Sequence, residues 1–290
     1  MIVVRLLGGL GNQMFQYAFG RALAERRAVS LKLDIASFET YSLRRYALQH
    51  FGIIAELLSP EERKQLGLPR DETTRLSRLV ERFLQPAAIA VVDEHSFEFD
   101  PALLDVRAPC YLRGYWQSPK YFASIESMIR REFTVQAPPN TANLNAARVV
   151  TGCDSVSVHV RRGDYVESET TGRFHGLCDP SYYRAAEAHL RERLRNPKLF
   201  VFSDDPDWAE QNLRLTAPAT YFRHNGPEQD FEDLRLMALC KHHIIANSTF
   251  SWWGAWLCDN PNKTVIAPRN WFREANHSTR DLIPANWVRL

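Results

Sequence analysis

From residue 156 to residue 267 the chain alternates short apolar runs with segments of helical period. The runs at 156–160, 199–203, 220–223, 243–246 and 264–267 are rich in Val, Ile and Phe, which reads as strand. Between them lie helical patterns at 180–195, from Pro206, at 229–240 and from Ser251. Parallel neighbours need a long crossover, and a helix supplies it. The rhythm therefore predicts an α/β fold, a parallel sheet with helices on both faces.

In such a sheet, ligands sit beyond the carboxyl ends of the strands. The central run continues as VSVHVRRGDYV, residues 156–166, so the strand ends at Arg161 and Arg162, with Gly163 to turn the chain. A guanidinium there suits a phosphate, because its planar fork matches two oxygens and its charge does not titrate. Asp164 then pins an arginine or accepts a substrate proton. The plain alternative is a strand end with solvated arginines. The Arg-Gly-Asp tripeptide, next to a buried strand, is read as coincidence rather than an adhesion signal.

Two more strand ends are polar. One runs into Ser203-Asp204-Asp205, where Asp204 or Asp205 offers an acceptor to a base or ribose. The other runs into Asn247-Ser248-Thr249-Phe250. There, hydroxyls and backbone N–H groups at a strand-to-helix turn suit phosphate, and Phe250 suits a ligand ring. Asp205-Pro206-Asp207 also spells a D-x-D, the pattern of a metal–diphosphate site. Pro206 starting a helix explains Asp207 as a first-turn acid, and the arginines already supply positive charge, so no metal is expected.

The first half opens with a strand-like run at 1–7 and then GGLGNQMFQYAFGRALAERR. Gly8, Gly9 and Gly11 make a tight turn, Asn12 is read as the cap, and apolar residues recur at helical spacing from Met14. The spacing is neither G-x-G-x-x-G nor a P-loop. Amides at Asn12 and Gln13 favour a loop for a polar ligand over a purely structural turn. Residues 111–122, YLRGYWQSPKYF, place Tyr115 and Trp116 among hydrogen-bonding side chains, as a sugar-binding wall would, although aromatics are also common core filler. A second strand is read at 31–34 and another at 87–92. Residues 72–84 form an amphipathic helical pattern, which packs on the domain or lies on an anionic surface. The polar stretch 136–146, with Pro138-Pro139, is the candidate linker, giving domains of 1–145 and 146–290.

With 290 residues the chain is long enough for two domains, and a net charge of +2 gives no reason to expect nucleic acid. Five scattered cysteines with no C-x-x-C point to free thiols in a reducing compartment, and Cys240 with His242 and His243 makes a poor zinc site. The first apolar run holds Arg5 and breaks at Gly8-Gly9, so no signal peptide is expected, and no run reaches membrane-spanning length. Glycosylation sequons at Asn247, Asn262 and Asn276 would then go unused.

Four stretches together, GGLGNQMFQYAFGRALA, HVRRGDY, FSDDPDW and CKHHIIANSTFSWWGAWL, resemble the bacterial-type α-1,2-fucosyltransferases of glycosyltransferase family 11. The likeness runs from residue 2 to at least residue 272 and includes GYWQSPKYF. It implies two facing Rossmann-like domains of the GT-B type, with a ligand cleft between them. It also implies GDP-L-fucose as donor, a galactose-terminated glycan as acceptor and inversion at the transferred carbon. Carried over, Arg161 with Arg162 matches the diphosphate-holding arginine, and His159 with Asp204 or Asp205 the nucleoside side. Ser248, Thr249 and Phe250 match the other donor wall, and Gly9, Gly11 and Asn12 the loop that approaches across the cleft. Asp164 is the first candidate for the catalytic base and Glu167 the second. Gln13, Tyr115, Trp116 and Glu167 are the weaker acceptor-side candidates. A cytoplasmic enzyme of surface-polysaccharide or oligosaccharide synthesis, compatible with peripheral membrane association, is the expectation. The competing readings are another donor such as GDP-mannose, and a non-catalytic sugar- or nucleotide-binding module.

Overall fold

The structure is a computed structural model that describes residues 1–40, 44–68, 88–162, 177–272 and 278–290. Asp164, Glu167, the Asn276 sequon and the helical pattern at 72–84 lie outside the described residues. The chain divides into two compact units, Met1–Thr134 and Val135–Leu290. The break thus precedes Val135 rather than following Asn145. The stretch read as a linker holds the cap and first turns of a helix, because the Asn140 side chain accepts from the Asn143 N–H at 2.9 Å.

In the first unit, strands β1 (Ile2–Arg5), β2 (Leu31–Asp34), β3 (Glu56–Leu57), β4 (Ala90–Asp93) and β5 (Cys110–Arg113) pair in parallel in the order β3-β2-β1-β5-β4. Helix α1 (Leu10–Arg27) covers one face and comes so close that a Cβ on Gly20 would sit 2.2 Å from Val4 Cγ2. Val3 and Tyr111 point to the opposite face, into a cluster with Leu58, Leu68 and Ile89. Helix α2 (Glu126–Glu132) supplies buried Glu132, which accepts from the Tyr17 hydroxyl at 2.6 Å and pairs with Arg21 at 3.1 Å.

The second unit holds α3 (Thr141–Thr151), β6 (Ser155–Val160), α4 (Pro180–Arg191), β7 (Lys198–Ser203), α5 (Pro206–Asn212), β8 (Ala219–Tyr221), α6 (Asp230–Leu239), β9 (His242–Ile244), α7 (Thr249–Leu257), β10 (Val265–Ala267) and β11 (Val288–Arg289). Its strands are all parallel, in the order β11-β10-β9-β6-β7-β8. Strand alternation sorts the core into two layers. Val156, Val158, Val160, Leu199 and Val201 meet Tyr183, Ala186, Leu190 and Ala209 of α4 and α5. Phe200 and Phe202 meet Val150, Leu236 and Met237 of α3 and α6. Helices therefore cover both faces, as the rhythm predicts.

Candidate functional site

Parallel pairing sends the carboxyl ends of β6, β7 and β9 to one edge of the second sheet. Val160 pairs with Ser203 and Val158 with Ile244, so the residues after each strand become neighbours. There the Arg161 guanidinium lies 3.0 Å from Asp204 Oδ2, while Asp204 Oδ1 accepts the Arg162 backbone N–H at 2.8 Å. One carboxylate thus fixes both the side chain and the backbone at the end of β6.

The two guanidiniums part company. That of Arg162 stacks over Trp208 at 3.7 Å from the ring centroid and stands 3.9 Å from Asp205. Asp205 is the cap of α5, accepting from the Trp208 N–H at 3.1 Å, and its own N–H bonds Ser203 Oγ at 3.0 Å. Asp207 faces Arg223 at 3.1 Å. The D-x-D acids therefore point to a helix cap and to a surface arginine.

His159 lies on the opposite face of β6 from Val158 and Val160, which turns its ring toward Phe250 at 5.5 Å between centroids. It is 4% exposed, and its Nδ1 has no hydrogen-bond partner among the described residues. Burial, with the nearby Arg161 charge, pushes its pKa down to about 3, so the imidazole is neutral. Helix α7 begins at Thr249, earlier than the expected Ser251, so Ser248 takes the cap position without a side-chain cap bond. Thr249 and Phe250 are its first two residues, at the carboxyl edge.

Sequence reasoning passes over the groups that anchor this edge. Asn247 Nδ2 donates to the Trp271 carbonyl at 3.1 Å and its Oδ1 accepts from the Cys178 thiol at 3.4 Å, tying down the turn that carries Ser248 to Phe250. Beyond β8, Asn143 and Asn225 exchange amide hydrogen bonds at 2.9 and 3.0 Å, His224 joins at 2.8 Å, and Asn225 donates to Asp233 at 2.7 Å. Burial pushes the Asp233 carboxyl up to about 6, with Asp230 and Glu232 adding to the rise. The signal available was position: His224 and Asn225 follow a strand. Asn143 gave none, since its stretch reads as a loop.

The glycine loop forms the carboxyl edge of the first sheet. Its geometry corrects three expectations. Helix α1 starts at Leu10, so Gly9 is the cap position, Gly11 is buried in the first turn, and Asn12 lies inside the helix rather than capping it. Gln13, fully buried, donates to the Gly8 and Arg45 carbonyls and accepts from the Ala47 N–H. Its amide fixes the loop and is not available to a sugar. Trp116 is also fully buried, 4.7 Å from Phe19 between ring centroids, and Tyr111, Tyr121 and Phe122 are core as well. Of the proposed sugar wall, Tyr115 remains partly exposed. Burial under α1 wins because these large rings gain more from leaving water than from lining a surface.

Residues 95–290 match the family model described as glycosyl transferase family 11. An alpha-1,2-colitosyltransferase of Escherichia coli is 34% identical, over 100% of this chain and 99% of that protein. The chain belongs to glycosyl transferase family 11. Within the family it is also 30% identical to human galactoside alpha-(1,2)-fucosyltransferase 1, over 86% of this chain and 63% of that protein. Among solved structures, a point mutant of Arabidopsis thaliana FUT1 in complex with GDP superposes with a TM-score of 0.54, at 12% identity, over 98% of this chain and 75% of that one, a likeness of fold. As a family 11 member the chain is a glycosyltransferase, α/β with two parallel sheets. Among the described residues no helix is long and apolar enough to cross a membrane.

Proposed function

We propose that this glycosyltransferase moves L-fucose from GDP-β-L-fucose to the 2-hydroxyl of a terminal galactose, with inversion. The observation that carries the reading is Arg161, held at the carboxyl end of β6 by Asp204. Breaking the sugar–phosphate bond adds negative charge to the departing diphosphate while the sugar becomes oxocarbenium-like. A guanidinium already in place stabilises that transition state more than the ground state. Thr249 and the N-terminal N–H groups of α7 form the second donor-facing element, and the neutral His159 and Phe250 the third. By the family resemblance, Asn12 is read as a further substrate contact. The acceptor hydroxyl attacks from the opposite face and passes its proton to a carboxylate, Asp164 in this reading, with Glu167 the second candidate. No metal is required, because Arg161 carries the charge compensation.

A second donor is favoured by one observation. The 34% identical relative is named for colitose, so nucleotide-activated colitose is the competing donor. The test incubates the protein with GDP-fucose, GDP-mannose or nucleotide-activated colitose, each with a β-galactoside, and analyses products by mass spectrometry and linkage. A fucosyl-α-1,2-galactoside supports the proposal. Product from colitose alone transfers it to the other donor, and nucleotide binding without product from any donor leaves a binding module.

A further inference from the structure

The turn after β5 is clamped more firmly than its surroundings require. Glu94, following β4, accepts the backbone N–H groups of Tyr115 at 2.7 Å and Trp116 at 2.9 Å through its two carboxylate oxygens. From α1, Gln16 donates to the Gly114 carbonyl at 3.0 Å. Trp116 itself is held at φ 55°, a conformation that a side chain rarely adopts unless its neighbours enforce it. A Cβ on Gly114 would lie 2.4 Å from Glu94 Cβ, so the approach of the clamp requires glycine there.

What leaves this rigid turn is Gln117, 8% exposed, whose Nε2 donates to Asn12 Oδ1 at 3.1 Å across 105 residues of chain. An asparagine amide can present either its oxygen or its nitrogen to a given side. With Oδ1 taken up toward Gln117, Nδ2 is turned toward Gly8, where a Cβ would sit 2.7 Å from it. Gly8, at φ 78°, leaves room for that orientation. The amide of Asn12 is thus set from both sides at the mouth of α1.

We propose that Gln117 is a positioning residue. Held by the Glu94 clamp, it fixes the rotamer and amide sense of Asn12, so that an N–H donor rather than a carbonyl meets the ligand. The inference rests on the reading that Asn12 touches substrate. Gln117 acts only through Asn12, and a misdirected donor at a reacting centre costs up to about a hundredfold in rate.

The test is a double-mutant cycle with whichever nucleotide sugar the wild type turns over, so failure of the fucose assignment leaves it readable. Turnover, donor KM and melting temperature are measured for Asn12→Ala, Gln117→Ala, Gln117→Glu and the double alanine variant. Expected is a fall in kcat of about tenfold or more for Gln117→Ala. Gln117→Glu should lose at least as much despite its matching shape, because a carboxylate cannot donate to Oδ1. The double variant should be no slower than Asn12→Ala alone. Losses that multiply in the double variant, or wild-type turnover in Gln117→Glu, overturn the proposal. Wild-type turnover in Asn12→Ala overturns the underlying reading instead, and the proposal with it. Should the Gln117 variants fail to fold, Gly8→Ala presses on the Asn12 amide directly. It is expected to give the same loss of kcat, and unchanged turnover there also overturns the proposal.

Discussion

The carboxylate of Asp204 stands 3.0 Å from the guanidinium of Arg161, each residue following the end of one of two strands paired in register, β7 and β6. Both side chains are about one-fifth exposed, so the pair adds only ~1 kcal/mol to stability; its consequence is direction. Asp204→Asn retains an acceptor for the Arg162 N–H but loses the charge that aims Arg161. Initial rates should show kcat/KM falling about tenfold with melting little changed. Improved donor affinity would mean instead that Asp204 competes with the diphosphate.

Gln13 separates scaffold from site. Its bond from the Ala47 N–H is buried and its bonds to the Gly8 and Arg45 carbonyls are partly buried, so Gln13→Ala strands that N–H and two carbonyls. Chemical denaturation should show a loss of about 2–3 kcal/mol. Acceptor KM in the folded fraction should stay unchanged; a selective rise in acceptor KM at full stability would restore Gln13 to the acceptor site.

That contrast shows what the sequence made legible. Strand–helix rhythm announced the second sheet and its carboxyl edge, and through them Arg161, Asp204 and the turn at Ser248 to Phe250. These were readable because local period and turn chemistry are set by neighbouring residues. Gln13, Trp116, Gln117 and Asn143 were not, since their roles depend on partners at distances of 32 to 105 residues, such as Arg45, Asn12 and Asn225. An amide or indole looks the same in sequence whether it meets a sugar or a core. Helix starts shifted for a local reason: Gly9 and Ser248 take the cap positions without lending a side chain, so neither start shows a side-chain cap.

Transfer is expected to proceed at full rate in excess EDTA, and Asp207→Asn to leave it unchanged, since Asp207 faces Arg223 at the surface. Initial-rate assays with EDTA and with added Mn²⁺ check both. Strong inhibition by EDTA that Mn²⁺ reverses would reinstate the D-x-D metal site.

His159 should leave a mark on acid stability. The unfolded chain takes a proton near the ordinary value of 6.5, whereas the folded protein refuses one until about pH 3. Acidification through that window therefore lowers stability, by up to about 1.4 kcal/mol per pH unit from this group. Buried His243 acts in the same direction. Urea unfolding at pH 7, 6 and 5 should show a shallower decline in His159→Phe than in the wild type. An identical decline would mean that His159 is protonated in the folded state.

Whether Arg161 carries the charge of the departing diphosphate is read most directly from turnover of Arg161→Ala at saturating donor, beside its melting curve. Expected is a folded protein whose kcat falls by about 10²–10³, equivalent to roughly 3–4 kcal/mol of transition-state stabilisation. Near wild-type turnover in that folded variant would contradict it.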